Sequence, residues 1–549
     1  MGLLSTGYKV LLAGIFGQYS DKRETMAALP QPPFPPLTGE EIWIDYVSDA
    51  GDGWDSTYTV AWLLGREALE VHDGAGPRRI ERGRILVMGG DQVYPTPNED
   101  AYQGRLIGPY RAALPWTEPG SSPVLFAIPG NHDWYDGLST FLRLFHAGKW
   151  VGGWRVDQSR SYFAIELPHQ WWLWGIDVQL DFRIDQPQLD YFHDVAANHA
   201  KPGDRLILCT AKPAWVHDTL VGDVSFQANE RAKRNLVYFE SDVVRAHGLD
   251  LRLVLSGDLH HYARYEGTDG SHRITSGGGG AFLYPTHNLP EHLSWPMSSG
   301  PGAEEIPYRR AEQGVFPDVR RSERLRWGAF VAPVRTWTFM ILNGLLYMAF
   351  AWMIRFALPL GQPFVVAMKG AGFRGLGLAM LRNPMSLLLA LLLLLALWSF
   401  ADGRKWWGRL SMAGPHWLAH MAMVTTVVWG ATRVPFPPHP YSVLPFVLLV
   451  GIVGGFAGAV LMGGYLLTAQ LAVKRHPNEA FSAQHIDDYK NFLRMHIDRS
   501  GVLTVYPVGV ERACRDWRPV TPDHPQDPWV EPASGSIPYF LIEGPIHLP

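Results

Sequence analysis

The sequence predicts an α/β domain followed by a membrane-embedded helical bundle and a small α+β tail. Three observations carry that prediction. Four apolar, strand-like runs each end in a potential metal ligand: Ile42 to Ser48 into Asp49, Arg84 to Gly89 into Gly90-Asp91, Val124 to Ile128 into Pro129-Gly130-Asn131-His132-Asp133, and Leu251 to Ser256 into Gly257-Asp258-Leu259-His260. Long uninterrupted apolar runs are concentrated between about 336 and 473. The length, 549 residues, exceeds what a single core usually serves, so more than one structural unit is expected.

Composition narrows the function classes. A net charge of -4, with no basic stripe interleaved with aromatics beside the strand motifs, argues against nucleic acid as a partner. Only Cys209 and Cys514 occur, which leaves no disulfide framework and no cysteine-rich zinc site and fits a reducing compartment. In the N-terminal segment 1–39, the apolar run Val10 to Gly17 is too short to span a bilayer and lacks a convincing cleavage pattern. It reads as a docking helix or strand, ahead of the stiff entry Gln31 to Pro36.

The α/β domain is expected over 40–300. Its first strand delivers Asp49 into Ala50-Gly51-Asp52-Gly53, where Asp52 is a second ligand or, more simply, a turn former ahead of a helix from Ser56 to Leu69. Strands at Tyr162 to Leu167 and Trp171 to Ile176 and a helix from Pro187 to about Asn198 form framework. In open α/β sheets the loops beyond the strands' carboxyl ends form the binding crevice, so the four ligand-bearing loops are expected to converge on a metal centre. The run Ser276-Gly277-Gly278-Gly279-Gly280-Ala281 is either a phosphate cradle or a tight backbone passage beneath that centre.

A basic linker, 301–335, leads to a bundle over 336–473 with four expected spans, about Thr336 to Ile354, Pro384 to Phe400, Trp417 to Thr432 and Val443 to Val473. Gly451, Gly454, Gly455 and Gly458 in the last span suit close helix packing, within the bundle or between bundles. The tail 474–549 is expected to contain an amphipathic helix, Ile486 to Ile497, and a strand, Val502 to Val508, and to pack on the first domain. Few ionisable residues lie in the spans, which argues against a transporter. Arginine and lysine clusters at Arg320 to Arg335, Arg404 to Arg409 and Lys474-Arg475 fall on one side of a four-span arrangement, so a multi-pass protein with a cytoplasmic α/β domain is expected.

The series Asp49, Gly90-Asp91, Gly130-Asn131-His132-Asp133 and Gly257-Asp258-Leu259-His260 resembles the calcineurin-like metallophosphoesterase family over roughly residues 40 to 285. Gly90-Asp91-Gln92-Val93-Tyr94 resembles its purple acid phosphatase branch, which places a tyrosine three residues after the bridging aspartate. The resemblance implies a four-layer sandwich of two mixed sheets flanked by helices. It implies two metal ions, iron or manganese, with zinc and magnesium as alternatives.

One ion would be held by Asp49, Asp91, Tyr94 and His260 and the other by Asp91, Asn131 and Asp258, Asp91 bridging the two. His132 would assist the leaving group as a proton donor, and Asp133 would either orient that imidazole or cap the following loop. Two departures stand out. Ala211 occupies the place where relatives usually show a metal-binding histidine, two residues before Pro213, and Asp258 stands where a histidine is usual. His217 and His261 are candidate substitutes.

The implied function is hydrolysis of a phosphate ester, with a lipid-associated ester preferred, through a metal-activated hydroxide at a membrane. The alternative is a catalytically silent binding or regulatory module on a membrane anchor. The oligomeric state stays open.

Overall fold

The computed structural model describes residues 23–26, 39–74, 76–118, 120–178, 183–217, 226–300, 302–359, 361–401, 403, 405–437 and 439–549. The run Val10 to Gly17, the entry Gln31 to Pro36 and Arg404 lie outside them. The chain divides into two compact units, one of residues 1–220, 225–322 and 486–549 and one of 221–224 and 323–485.

The first unit is built on two mixed sheets. One has nine strands, ordered Phe540–Leu541, Leu503–Val510, Lys490–Ile497, Ile42–Val47, Ile85–Met88, Val124–Ala127, Trp154–Val156 and Trp150–Val151, with Ile546–Leu548 also on Leu503–Val510. The other has eight, ordered His292–Pro296, Glu305–Phe316, Tyr262–Gly267, His272–Ser276, Asp250–Ser256, Arg205–Thr210, Trp171–Ile176 and Phe163–Leu167. Within each, the central strands are parallel and nearly continuous in buried apolar residues, as expected of strands covered on both faces. Parallel strands put their carboxyl ends on one edge, and these ends carry Asp49, Asp91 and Asn131 from the first sheet and Asp258 and His260 from the second. Helices Trp54–Leu64 and Gly108–Ala113 share a core with the first sheet, and Gln186–Asn198 with the second.

Three expectations change. The segment Ile486 to Ile497 is a strand over Lys490–Ile497, not an amphipathic helix. It lies between two antiparallel neighbours and is buried on both faces, which hides the alternation that would mark a strand. The helix from Ser56 stops at Leu64, where Gly65 caps it, and Ala68–His72 becomes a hairpin strand. The basic linker is in part a strand, Glu305–Phe316, of the second sheet.

The second unit holds the helices Trp337–Phe356, Phe364–Arg382, Pro384–Phe400, Trp406–Ala431 and Val443–Val473. Among the described residues three of them, Trp337–Phe356, Phe364–Arg382 and Val443–Val473, are long and apolar enough to cross a membrane, by length and composition. The expected four spans are therefore corrected. Pro384–Phe400 is a shorter apolar helix, started by Asn383 accepting from the Met385 amide with Pro384 at the first helical position. All of the expected third span but its last residue, Thr432, lies inside Trp406–Ala431, which is long but not among those three. Phe364–Arg382 escaped notice because Lys369 and Arg374 interrupt its apolar pattern, and its backbone is broken at Gly372.

The glycines of Val443–Val473 pack within the unit. Side chains at Gly451, Gly454, Gly455 and Gly458 would collide with Met348, Tyr347, the Met340 carbonyl and Asn343 of Trp337–Phe356. Leu387, Leu391, Ile452 and Phe456 are exposed, an apolar surface suited to lipid rather than water. The unit is also more polar inside than its sequence suggests, since His416 and His420 are buried and Tyr347 bonds the His420 Nδ1 at 3.1 Å.

The strand that follows the bundle is tied to the first strand of the chain by a buried ion pair. Arg494 donates from Nε to Asp45 Oδ1 at 2.8 Å and from Nη2 to Asp45 Oδ2 at 3.1 Å, with both side chains excluded from water. Arg494→Met leaves Asp45 buried without its partner, and urea unfolding in detergent is expected to show a loss of about 3–5 kcal/mol. Asp45→Asn combined with Arg494→Met should recover part of it. A single variant as stable as the wild type would show that the pair does not hold the sheet together.

Candidate metal centre

The strand ends do bring the expected side chains together. Asp49, Asp91 and Asp258 each take a left-handed backbone conformation, with φ of 59°, 48° and 65°. Such a residue costs about 1–2 kcal/mol relative to ordinary backbone, and short polar side chains tolerate it best. Three in one place turn each chain sharply as it leaves its strand. Two glycines make room: a Cβ on Gly130 would fall on the Asp91 carboxylate, and one on Gly257 on Ser48 and Asp49.

The centre of the convergence is the Tyr94 phenol. Its oxygen lies 2.8 Å from Asp49 Oδ1, 3.1 Å from Asp91 Oδ2 and 2.9 Å from His260 Nε2, and Asp49 Oδ1 is 3.6 Å from the same nitrogen. His260 donates from Nδ1 to the Phe282 carbonyl at 2.6 Å, so Nε2 carries the lone pair. Tyr284 stacks on this ring with centroids 4.2 Å apart. Burial lowers the His260 pKa to about 3, which keeps the imidazole neutral. Burial also raises Asp49 well above the carboxylate range, aided by the charges of Asp91 and Asp258, and raises Tyr94, aided by the charges of Asp49 and Asp91. A single phenol proton cannot satisfy three acceptors, so the cluster calls for further protons or a cation.

The separations bear on which. Two donor atoms about 2.0–2.2 Å from one ion and at right angles around it stand about 2.8–3.1 Å apart. The contacts of the Tyr94 oxygen fall in that range. The donor chemistry, two carboxylates, a phenol oxygen and an imidazole with its lone pair inward, fits a hard or borderline metal ion. Among the described residues, no group of three or more His, Cys, Asp or Glu side chains is by itself set to hold a metal; the convergence depends on the tyrosine.

Asn131 and Asp258 are held differently. Asn131 donates from Nδ2 to the Tyr135 hydroxyl at 2.9 Å, which leaves Oδ1 as its ligand atom. The Asp258 amide donates to both Asp49 oxygens, at 3.1 and 2.9 Å, while its own carboxylate meets His217 Nε2 at 2.8 Å. Burial pushes the Asp258 pKa up, but the hydrogen bond and charge of His217 outweigh it and hold the group below the usual range.

His132 is aimed by its backbone neighbours. Its amide donates to Asp91 Oδ1 at 2.7 Å, and its Nδ1 donates to the Pro95 carbonyl at 2.8 Å, which leaves Nε2 for a substrate. Its ring tilts over Tyr94 at 4.2 Å between centroids. Asp133 does not orient that ring. It is buried and accepts from the Gly130 and Gln92 amides and the Tyr102 hydroxyl, so it holds the loop together.

The glycine run resolves toward a tight passage. The Gly277, Gly279 and Ala281 amides donate to the carbonyls of His261, Ser48 and Asp49, which uses them in backbone pairing. Asp52 accepts from the Phe282 amide at 3.3 Å, a loop tie ahead of the helix. His261 is buried with neither ring nitrogen hydrogen-bonded. Lys490 was not foreseen: it is fully buried, donates to the Ala281 carbonyl, and burial lowers its pKa to about 8. No sequence signal marks it, because it arrives from more than two hundred residues away.

The family profile described as calcineurin-like phosphoesterase matches residues 42–262. Among solved structures, the chain is similar to GAP50, described as the anchor in the inner membrane complex of Plasmodium, with 13% identity over 52% of this chain and 93% of that one and a TM-score of 0.32. It is similar to PhoD, with 11% identity over 52% of this chain and 72% of that one and a TM-score of 0.30. It is also similar to the purple acid phosphatase PPD1 from yellow lupin (Lupinus luteus) seeds, with 11% identity over 50% of this chain and 48% of that one and a TM-score of 0.30. No curated protein matches the sequence. Residues 42–262 match the calcineurin-like phosphoesterase family, on a chain whose later part contains helices apolar enough to cross a membrane.

Proposed function

We propose that the protein is a membrane-bound, metal-dependent phosphoesterase. The observation that carries this reading is the set of ligand-spaced contacts around the Tyr94 oxygen at the strand ends. Asp49, Tyr94 and His260 would hold one ion, Asp91 would be shared, and Asn131 and Asp258 would serve a second. Oxygen-rich donors favour iron or manganese over zinc. Metal ions there supply Lewis-acid polarisation of a phosphoryl oxygen and acidify a water.

The rest of the chemistry belongs to the chain. His132, held at Nδ1 by Pro95, presents Nε2 to the leaving group and hands it a proton. Enclosure lowers the pKa of this imidazole, so it awaits substrate in neutral form, and a phosphate dianion beside it restores the proton. Burial of Asp49 and His260 keeps bulk water from competing for the same donors. A silent binding module is the second reading, favoured by Ala211 in place of an imidazole.

The first unit contains strands from both sides of the bundle, since Ile42–Val47 pairs with Lys490–Ile497. Arg320, Arg321, Arg324, Arg326 and Arg335 precede the first apolar helix, and Lys474 and Arg475 follow the last. This favours a cytoplasmic phosphoesterase domain and a lipid-associated ester as substrate.

Asp91→Ala is expected to abolish metal binding and hydrolysis of an aryl phosphate together. Retention of two ions with near-normal turnover would remove Asp91 from the centre, and a wild-type chain that binds metal without turning over phosphoesters would favour the silent module. His132→Ala should lower turnover by roughly 10²–10⁴-fold while metal content stays unchanged; a change confined to metal content would make His132 a ligand. For orientation, a cysteine placed at the exposed Trp116 should resist a membrane-impermeant thiol reagent in intact cells. Its modification would put the domain outside.

A further inference from the structure

Resting on the metal-dependent reading above, we infer that His217 supplies the nitrogen ligand of the second metal site, from a position six residues beyond the one Ala211 leaves without an imidazole. The short helix Ala214–His217 follows the strand Arg205–Thr210 and ends with its histidine facing Asp258. His217 is 8% exposed, and its Nε2 lies 2.8 Å from Asp258 Oδ2. That is the edge expected between two donors bound to one ion, about 2.8–3.1 Å, and it matches the edges around Tyr94.

Ala211 itself is built into the backbone of the centre. Its methyl lies where a Cβ on Gly90 would touch it, and its carbonyl accepts from the Gly257 amide. Position 211 thus lies beside the bridging Asp91 and at the root of the Asp258 loop, while the imidazole reaches Asp258 from further along the same connection. His261, the other candidate, follows His260 and Leu259 into a buried setting with neither ring nitrogen hydrogen-bonded to any site residue. The donor set of the second site becomes Asp91, Asn131, Asp258 and His217, three oxygens and one nitrogen.

The alternative role for His217 is to position Asp258 by hydrogen bonding alone, and glutamine separates the two. His217→Gln keeps an N–H donor for the carboxylate but is a poor metal ligand. The test is equilibrium dialysis of the full chain in detergent against manganese(II), with metal per chain read by mass spectrometry and folding checked by thermal melting. The wild type is expected to hold about two ions and His217→Gln about one. Adding Ala211→His to His217→Gln is expected to bring the count back toward two. A His217→Gln chain that holds two ions overturns the inference and leaves the phosphoesterase reading intact. A folded wild type that takes up a single ion also overturns it, whereas one that takes up none overturns both readings.

Discussion

Two buried carboxylates, Asp49 and Asp91, with the partly exposed Asp258 following them, set the terms for the rest of the first unit. Asp49 is wholly excluded from water, and Asp91 and Asp258 add their charges to the cost of ionising it. Left to themselves such groups repel and protonate. They are nonetheless locked in place by left-handed backbone, by the Asp258 amide on Asp49 and by the His132 amide on Asp91. Local backbone strain and these amides together hold the like charges against their repulsion.

The C-terminal strand is part of that arrangement. Lys490–Ile497 completes the sheet beside Ile42–Val47, and it brings Lys490 beneath the glycine passage and Asn491 against Ser276. A buried ammonium near Asp49 opposes the negative potential of the centre without occupying it. The same strand carries Arg494 to Asp45, four residues before Asp49. The segment after the bundle therefore supports the strand that delivers the first carboxylate.

The second unit follows different physics. Its helix contacts are made by glycines that let Trp337–Phe356 lie close against Val443–Val473, and its outer face is leucine, isoleucine and aromatic. Close backbone approach, rather than apolar burial, is what holds helices together where the surroundings are as apolar as the side chains. His416 and His420 are among the polar side chains buried there, and Tyr347 gives the second of them a partner.

Local signals determined much of this protein. Strand-end aspartates, Gly-Asn-His-Asp and the tyrosine after Gly-Asp mark the candidate centre because each depends only on a strand, a turn and a neighbouring side chain. Apolar runs mark the membrane portion, although charges inside Phe364–Arg382 concealed one helix and four spans were expected where three helices are long and apolar enough. What only the tertiary structure decided were the long-range pairings. Lys490–Ile497 is a strand because two neighbours bury both of its faces, which no local pattern records. Asp133 ties the loop because the Pro95 carbonyl already holds His132. His217 rather than His261 faces Asp258 because a short helix turns it there. Spacing along the chain specifies which groups leave a strand together, but hydrogen-bond partners hundreds of residues apart are set by how the sheets pair.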